Sequence, residues 1–218
     1  MATDRYVFDA YGTLFDVAGA ARVAAADDAA LAEIWPRLAD DWRRKQLEYS
    51  WIRAITGDHA DFWTVTAQAL DWAAEAHGLA PSQRDRLLDL YRHLPAYPEA
   101  ADAMATLRQR GAQLAIFSNG TPEMLAEAVA SSRLEGFDAL LSVETAGVYK
   151  PAAASYRIVT DHFGCLPGEI TFVSSNGWDV YGATRFGFAS VWVNRAGLPV
   201  DNLPARPGRI VTDLTGLA

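Results

Sequence analysis

Apolar positions along the chain follow two different patterns. Between Val17 and Leu94 the pattern is that of successive helices, whereas after Pro95 short β-type apolar runs alternate with helical segments. Another short apolar run precedes Asp9. Alternating strands and helices are typical of a parallel sheet with helices on both faces. The sequence therefore predicts an α/β fold, in which a helical cap subdomain is inserted into a Rossmann-like parallel sheet. The strands are expected at 6–8, 113–117, 140–142, 170–173 and 190–193.

Proline and glycine predict where the cap helices begin and end. Pro36 fits the first position of the second cap helix, where its missing N–H costs nothing, and Gly57 fits the end of that helix. Together with the change of pattern near Pro95, these signals predict two domains. The catalytic core is expected over residues 1–16 and 96–218, and the cap over residues 17–95.

Polar clusters follow three of the predicted strands, over Asp9 to Thr13, Ser118 to Gly120 and Ser174 to Asp179. Ligands of open α/β sheets bind outside the carboxyl ends of the strands, so we expect the three clusters to lie together. A carboxylate after a buried strand is costly unless it is used. Asp9 alone is explained equally well as a turn cap, but the two matching clusters favour a functional site.

Two cations are candidates for the same site. Lys150 stands between Tyr149 and Pro151, and a cation near Asp9 would keep that carboxylate ionised and ready to attack. Arg43 and Leu47 are four residues apart and share one helix face, which suits a small organic anion or a departing halide. The alternative, a solvated basic stripe, is the better interpretation of the neighbouring Arg44 and Lys45.

Composition narrows the class of protein. With 218 residues, half of them hydrophobic, a net charge of −8 and a pI near 4.9, the chain offers no basic footprint for nucleic acid. Its one cysteine, Cys165, excludes an internal disulfide and agrees with a cytoplasmic protein. No apolar run is long enough to cross a membrane, and Met1 to Arg5 lead into a strand without a secretory leader. The histidines lack metal-ligand spacing, and no Gly-x-Ser-x-Gly elbow is present.

Taken together, the motifs resemble the L-2-haloacid dehalogenase family of the haloacid dehalogenase superfamily, over nearly the whole chain. In the phosphatases of that superfamily a second aspartate follows the first at plus two, beside Mg²⁺, but Tyr11 stands there in this chain. The motifs that carry the resemblance are Phe-Asp-x-Tyr-Gly-Thr-Leu at 8–14, Trp-Arg-x-Lys-Gln-Leu-Glu-Tyr at 42–49, Ser-Asn-Gly at 118–120, Val-Tyr-Lys-Pro at 148–151 and Ser-Ser-Asn-x-Trp-Asp at 174–179.

The resemblance implies hydrolysis of short L-2-haloalkanoic acids to D-2-hydroxy acids through an aspartyl ester, with inversion and without a metal or other cofactor. Asp9 would be the nucleophile, Thr13 and Lys150 would support it, and Ser174, Asn176 and Asp179 would activate the water. The substrate carboxylate would be held by Ser118 and by the backbone amides after Asp9, those of Ala10 and Tyr11. Arg43, Asn119 and Trp178 would receive the halide. The pocket would be lined, or the lysine braced, by Tyr11, Leu47, Phe62 and Tyr156.

Other functions stay open at the level of sequence. A small-molecule phosphatase of the same superfamily would need a second acidic metal ligand near Asp9, which the sequence does not supply. A catalytically idle binding protein on the same fold is disfavoured because Asp9, Lys150 and Asp179 occur together. The expected partners are a halogenated carboxylic acid and a halide ion, without nucleic acid or membrane. Relatives often form homodimers, so a homodimer is also expected.

Overall fold

A computed structural model describes residues 4–217, and its centre is one parallel six-stranded sheet. The strands are β1 Arg5–Phe8, β2 Gln113–Ser118, β3 Ala139–Ser142, β4 Ile170–Ser174, β5 Ala189–Val193 and β6 Arg209–Val211. They lie in the order β3-β2-β1-β4-β5-β6, and every neighbouring pair is parallel. The predicted α/β fold is confirmed. The predicted leaderless N-terminus lies partly outside the described residues, because the first three are not among them.

The helices fall into two groups along the chain. Four of them follow β1 and form the inserted cap: α1 Gly19–Ala25, α2 Ala29–Thr56, α3 Phe62–His77 and α4 Pro81–Leu90, with a 3₁₀ turn at Tyr91–His93. The other four alternate with the strands: α5 Ala100–Gln109, α6 Pro122–Ser132, α7 Ala153–Phe163 and α8 Gly177–Phe186. Short 3₁₀ turns lie at Val143–Ala146, Pro167–Glu169 and Leu214–Leu217.

Helix α2 begins at Ala29, seven residues before the predicted start at Pro36. Asp28 caps it, since its carboxylate accepts hydrogen bonds from the backbone N–H groups of Ala30 at 3.0 Å and Leu31 at 3.1 Å. Pro36 lies inside the helix, so the prediction that it begins the helix is wrong. A proline inside a helix removes one backbone hydrogen bond, and packing of the long helix against α1 and α3 overrides that cost. Gly57 ends the helix in the left-handed conformation, as expected.

The edge strand β6 was not anticipated from the sequence. It has three residues and follows a proline-rich stretch that has little regular structure. A segment this short carries no alternation that a pattern could reveal. It pairs only with β5, through registers such as Val193 with Val211. The tertiary contact with β5 therefore makes it a strand.

The two chain segments that connect cap and core pair with each other. Phe15 and Ala96 form an antiparallel bridge. Around this bridge, the N–H of Asp16 donates to Pro95 O and the N–H of Tyr97 donates to Leu14 O, each at 2.9 Å. We propose that the boundary between cap and core lies at this paired segment, as predicted between 16 and 17 and between 95 and 96.

Within residues 4–217, no helix has the length and apolar character that crossing a bilayer requires. The apolar core is instead shared among the sheet and the helices that cover it, and β2 and β4 are almost wholly buried. This rigid sheet supplies the strand ends that carry the polar clusters.

Candidate active site

Adjacent strands bring the predicted clusters together. β1 lies between β2 and β4, with Phe8 in register with Ile116 on one side and Val173 on the other. Asp9 continues this arrangement, because its N–H donates to the carbonyl of Val173 at 2.9 Å. The residues after the three strands therefore meet at one edge of the sheet.

The carboxylate of Asp9 lies at the centre of this edge and is 6% exposed. Its Oδ1 accepts from Lys150 Nζ at 3.2 Å. Its Oδ2 accepts from Asn176 Nδ2 at 2.7 Å and Thr13 Oγ1 at 3.0 Å, with Ser174 Oγ at 3.4 Å. Both oxygens are thus held in place by hydrogen-bond donors.

Lys150 is fully buried and uses its whole donor capacity. Besides Asp9, its Nζ donates to Asp179 Oδ2 at 2.9 Å and to the carbonyl of Phe117 at 2.7 Å. The ammonium also lies over the ring of Phe117, 4.5 Å from its centroid. One cation therefore joins the ends of all three central strands, which explains why a buried charge is tolerated here.

Asp179 is wholly buried at the start of α8. Burial raises the pKa of this carboxyl to about 6, although Lys150 opposes the rise. The other oxygen, Oδ1, accepts from the hydroxyl of Tyr156 at 2.7 Å. Burial, with the Asp179 charge beside it, raises the pKa of Tyr156 well above its usual value, so this phenol keeps its proton and donates.

The loop after Asp9 is shaped by Gly12 and Thr13. Gly12 has a φ of 89°, which is strained for any residue with a side chain. Thr13 Oγ1 accepts from the N–H of Ser175 at 2.8 Å, so the loop is tied to the end of β4. Within residues 4–217, neither the N–H of Ala10 nor that of Tyr11 donates to a protein acceptor. Two backbone donors beside Asp9 are thus available to a ligand.

The cap contributes Arg43 from α2. Its Nη2 atom donates to the carbonyl of Tyr11 at 3.2 Å and to Asn176 Oδ1 at 3.4 Å. Leu47 lies one turn further along the same helix and is half-buried. The ring of Tyr11 packs against Phe62 of the cap, with 6.0 Å between centroids. The predicted cap residues thus lie beside the loop that follows Asp9 in the core.

Ser118, the last residue of β2, and Asn119, which follows it, form hydrogen bonds with backbone N–H groups at the same edge of the sheet. Ser118 Oγ accepts from the N–H of Gly120 at 3.1 Å, and Asn119 Oδ1 accepts from the N–H of Lys150 at 3.0 Å. The ring of Tyr11 lies so close to Gly120 that a Cβ there would come within 2.8 Å of it. Gly120 is therefore the residue that allows Tyr11 to cover the site.

Trp178 forms no side-chain hydrogen bond with the other predicted site residues among the described residues. Its ring packs edge-on against Trp51 of α2, with 5.5 Å between centroids. Its indole N–H is buried and has no hydrogen-bond partner among the described residues. Trp178, in the first turn of α8, therefore packs against the cap helix α2.

Three further residues take part in this network and were not predicted. The hydroxyl of Ser175 lies 3.2 Å from that of Thr13, Gln46 accepts from Arg43, and Arg195 donates to the carbonyl of Thr13 at 3.0 Å. Ser175 and Gln46 lie inside motifs that carried the resemblance, so their positions held a signal. Arg195 follows β5, outside every motif, and only the packing of that strand end brings it here.

A cleft of about 240 Å³ opens beside the loop after Asp9, between core and cap. Its lining includes Gly12, Arg43, Asn176 and Arg195. Within residues 4–217, no three His, Cys, Asp or Glu side chains group as a metal site would need. The charged residues that line this cleft are the two arginines, Arg43 and Arg195.

Comparison with known proteins agrees with this geometry. The sequence model of the haloacid dehalogenase-like hydrolases matches residues 3–187. (S)-2-haloacid dehalogenase 1 of Pseudomonas sp. (strain CBS-3) is 44% identical over 196 residues, which are 88% of this chain and 85% of that protein.

Solved structures give the same result. A dehalogenase with an intermediate complex is 39% identical and has a TM-score of 0.94, with 99% of this chain and 96% of that chain covered. The L-2-haloacid dehalogenase of Xanthobacter autotrophicus with chloropropionic acid covalently bound is 36% identical and has a TM-score of 0.86, with the same coverage of 99% and 96%. The chain therefore belongs to the haloacid dehalogenase-like hydrolases, and within them to the family of the (S)-2-haloacid dehalogenases.

Proposed function

We propose that this protein hydrolyses short L-2-haloalkanoic acids to D-2-hydroxy acids, with Asp9 as the nucleophile. The observation that carries the proposal is the hydrogen bonding of the Asp9 carboxylate, which Lys150, Thr13 and Asn176 orient. Beside it, the N–H groups of Ala10 and Tyr11 have no acceptor within residues 4–217. The Xanthobacter relative with covalently bound chloropropionic acid supports a covalent route.

In the first step an oxygen of Asp9 attacks the substrate Cα from the side opposite the halogen. A C–O bond forms, the C–halogen bond breaks, and the halide leaves with the electron pair, so the configuration at Cα inverts. Ser118 and the N–H groups of Ala10 and Tyr11 hold the substrate carboxylate. Arg43, Asn119 and Trp178 receive the halide. Splitting the displacement in this way is covalent catalysis.

In the second step water attacks the carbonyl carbon of the Asp9 ester and releases the hydroxy acid. Asp179, in a base system with Ser174 and Asn176, accepts a proton of the water and passes it to the oxygen of the departing hydroxy acid as the ester C–O bond breaks. Although Lys150 and Tyr156 already bond to its oxygens, each oxygen keeps another lone pair. Thr13 supports the nucleophile or this water, Tyr156 braces the lysine through Asp179, and Leu47 and Phe62 line the apolar side of the pocket.

No observation favours the phosphatase alternative, because Tyr11 stands where a second carboxylate would be needed.

A homodimer and a cytoplasmic location stay predictions. Tryptophans of the cap have partners within the same chain. Trp42 donates to the carbonyl of Thr66, and Arg92 lies over the ring of Trp63. These residues are therefore no argument for a dimer.

The test is halide release from L- and D-2-chloropropionate, with and without EDTA. We expect release from the L-isomer alone, unchanged by EDTA, and loss of at least about 10³-fold in Asp9→Asn, since removal of a nucleophile abolishes the covalent route. Release from both isomers, or full activity in Asp9→Asn, would contradict the proposed mechanism. The absence of release from either isomer would contradict the proposed activity.

A further inference from the structure

Arg43 is held in place by neutral oxygens. Its Nη1 atom donates to Gln46 Oε1 at 2.7 Å, and its Nη2 donates to the Tyr11 carbonyl and the Asn176 amide oxygen. Within the part of the chain that the structure describes, no carboxylate forms an ion pair with Arg43. Other cap arginines do have such partners, as Arg44 has in Asp41 at 2.8 Å.

The amide of Gln46 has only one orientation that satisfies its surroundings. The side chain is buried, and its Nε2 donates to Thr66 Oγ1 at 2.6 Å and to the Tyr91 hydroxyl at 3.1 Å. Thr66 in turn donates to the carbonyl of Phe62 at 2.7 Å. Because a buried amide must satisfy both its donor and its acceptor, these contacts direct Oε1 towards Arg43.

We propose that Gln46 is a positioning residue that fixes Arg43 without compensating its charge, so that the full cation acts on the anion bound beside Asp9. A glutamate would hold the guanidinium equally well but would cancel its field in a site that excludes water. This inference rests on the proposed function, in which Arg43 meets the substrate or its departing halide.

The decisive variant is Gln46→Glu. It keeps the side-chain length and an acceptor for Arg43, and the hydroxyls of Thr66 and Tyr91 can turn to donate. Propionate and bromide, which bind without turnover, are titrated by calorimetry. We expect at least about tenfold weaker binding of one or both, with an equal or larger fall in kcat/KM and a near-normal melting temperature.

A second variant separates charge from support. Gln46→Met removes the acceptor but leaves Arg43 charged, so it is expected to weaken anion binding less than Gln46→Glu does. If the amide merely supported the side chain, the order would be reversed, because glutamate supplies the better acceptor for a guanidinium. That reversed order would overturn the inference.

Gln68→Glu is the matched control. Gln68 is exposed on α3 and accepts from Arg53 Nη2 at 3.0 Å, so the change places the same new charge beside an arginine remote from the site. Its anion affinities should equal those of the wild type, and an equal loss in this control would overturn the inference. So would a wild-type protein that binds neither anion.

The binding experiment also separates this inference from the proposed activity. If the wild type releases no halide but Gln46→Glu alone loses anion affinity, the activity is wrong and the role of Gln46 stands. If halide is released and Gln46→Glu binds both anions like the wild type, the activity stands and the role of Gln46 is wrong.

Discussion

At the scale of single residues, the site is governed by one ammonium shared between two carboxylates. Lys150 lies 3.2 Å from Asp9 and 2.9 Å from Asp179, all three being buried. Burial is the main cause of the raised pKa of Asp179, about 6; Lys150 opposes the rise, and the negative charge of Asp9 adds to it. Such a pKa suits a group that takes a proton from water near neutral pH.

The first prediction follows from that pKa. Since Asp179 must be ionised to act as a base, ester hydrolysis should fall as pH drops through about 6 and should be constant above it. In Asp179→Asn we expect hydrolysis to slow by at least about 10²-fold and the ester on Asp9 to accumulate, visible as a mass increase in the intact protein.

Asp161→Asn, an exposed change on α7, serves as the control and should keep both the rate and the pH profile. An acid limb that persists in a still active Asp179→Asn variant would show that another group is the base.

At the scale of elements, the close approach of α8 to α7 positions Tyr156 against Asp179. Gly182 on α8 makes this approach possible, because a Cβ there would lie 2.7 Å from Pro151 Cβ and closer still to the Tyr156 hydroxyl. Pro151 directly follows Lys150 in the chain. The spacing of these two helices is thus coupled to the orientation of the shared ammonium and its acids.

The second prediction is that Gly182→Ala damages both stability and activity. The added methyl forces Tyr156 or Pro151 to move, and overpacking of this kind costs about 1–3 kcal/mol of unfolding free energy. We expect a lower melting temperature, and a fall in kcat as the Tyr156 hydrogen bond to Asp179 is disturbed.

Gly168→Ala is the matched change, because nothing lies within 4 Å of the position where its Cβ would be. It should leave kcat as it is. If Gly182→Ala had the kcat and melting temperature of the wild type, the close approach would have no role in positioning Tyr156.

At the scale of the whole molecule, cap and core meet at a second place besides the paired linkers. Glu144 of the core accepts from the N–H of Phe62 at 3.3 Å and lies 2.9 Å from His59 Nε2, both in the cap. Tyr149 donates through its hydroxyl to the carbonyl of Ala60. These contacts hold the start of α3, and with it Phe62, against the segment that carries Lys150.

The third prediction concerns this contact. Glu144→Gln replaces the carboxylate that contacts His59 and Phe62 with a neutral, weaker acceptor, so the cap should close over the substrate less well. Partly exposed pairs of this kind contribute about 0.2–1 kcal/mol, so we expect KM for L-2-chloropropionate to rise by about two- to fivefold, with kcat little changed.

Glu33→Gln, an exposed change on cap helix α2, is the control and should leave KM unaltered. An unchanged KM in Glu144→Gln would mean that this contact has no influence on closure.

The class of fold and the chemical groups of the candidate site were predictable from the sequence. Short apolar runs that alternate with helices predict a parallel sheet, and polar residues directly after such runs must lie at its carboxyl edge. Asp9 and the cluster that ends at Asp179 could therefore be assigned to one site before any contact was known, whereas Lys150 was assigned to it from its Tyr-Lys-Pro motif. Asp28 is also a sequence signal for the start of α2, since aspartate is a common N-cap. Pro36 was the stronger local signal, but tertiary packing keeps it inside the helix.

Which atoms contact each other could not be predicted from the sequence and depends on the folded chain. The sharing of Lys150 between two acids, the tie from Arg195 to Thr13 and the neutral support of Arg43 by Gln46 join residues from distant parts of the chain or buried faces of helices. β6 is a strand only because β5 is beside it. The physical reason is that local patterns report burial and backbone preference, whereas hydrogen-bond partners and pKa values depend on distances that folding alone creates.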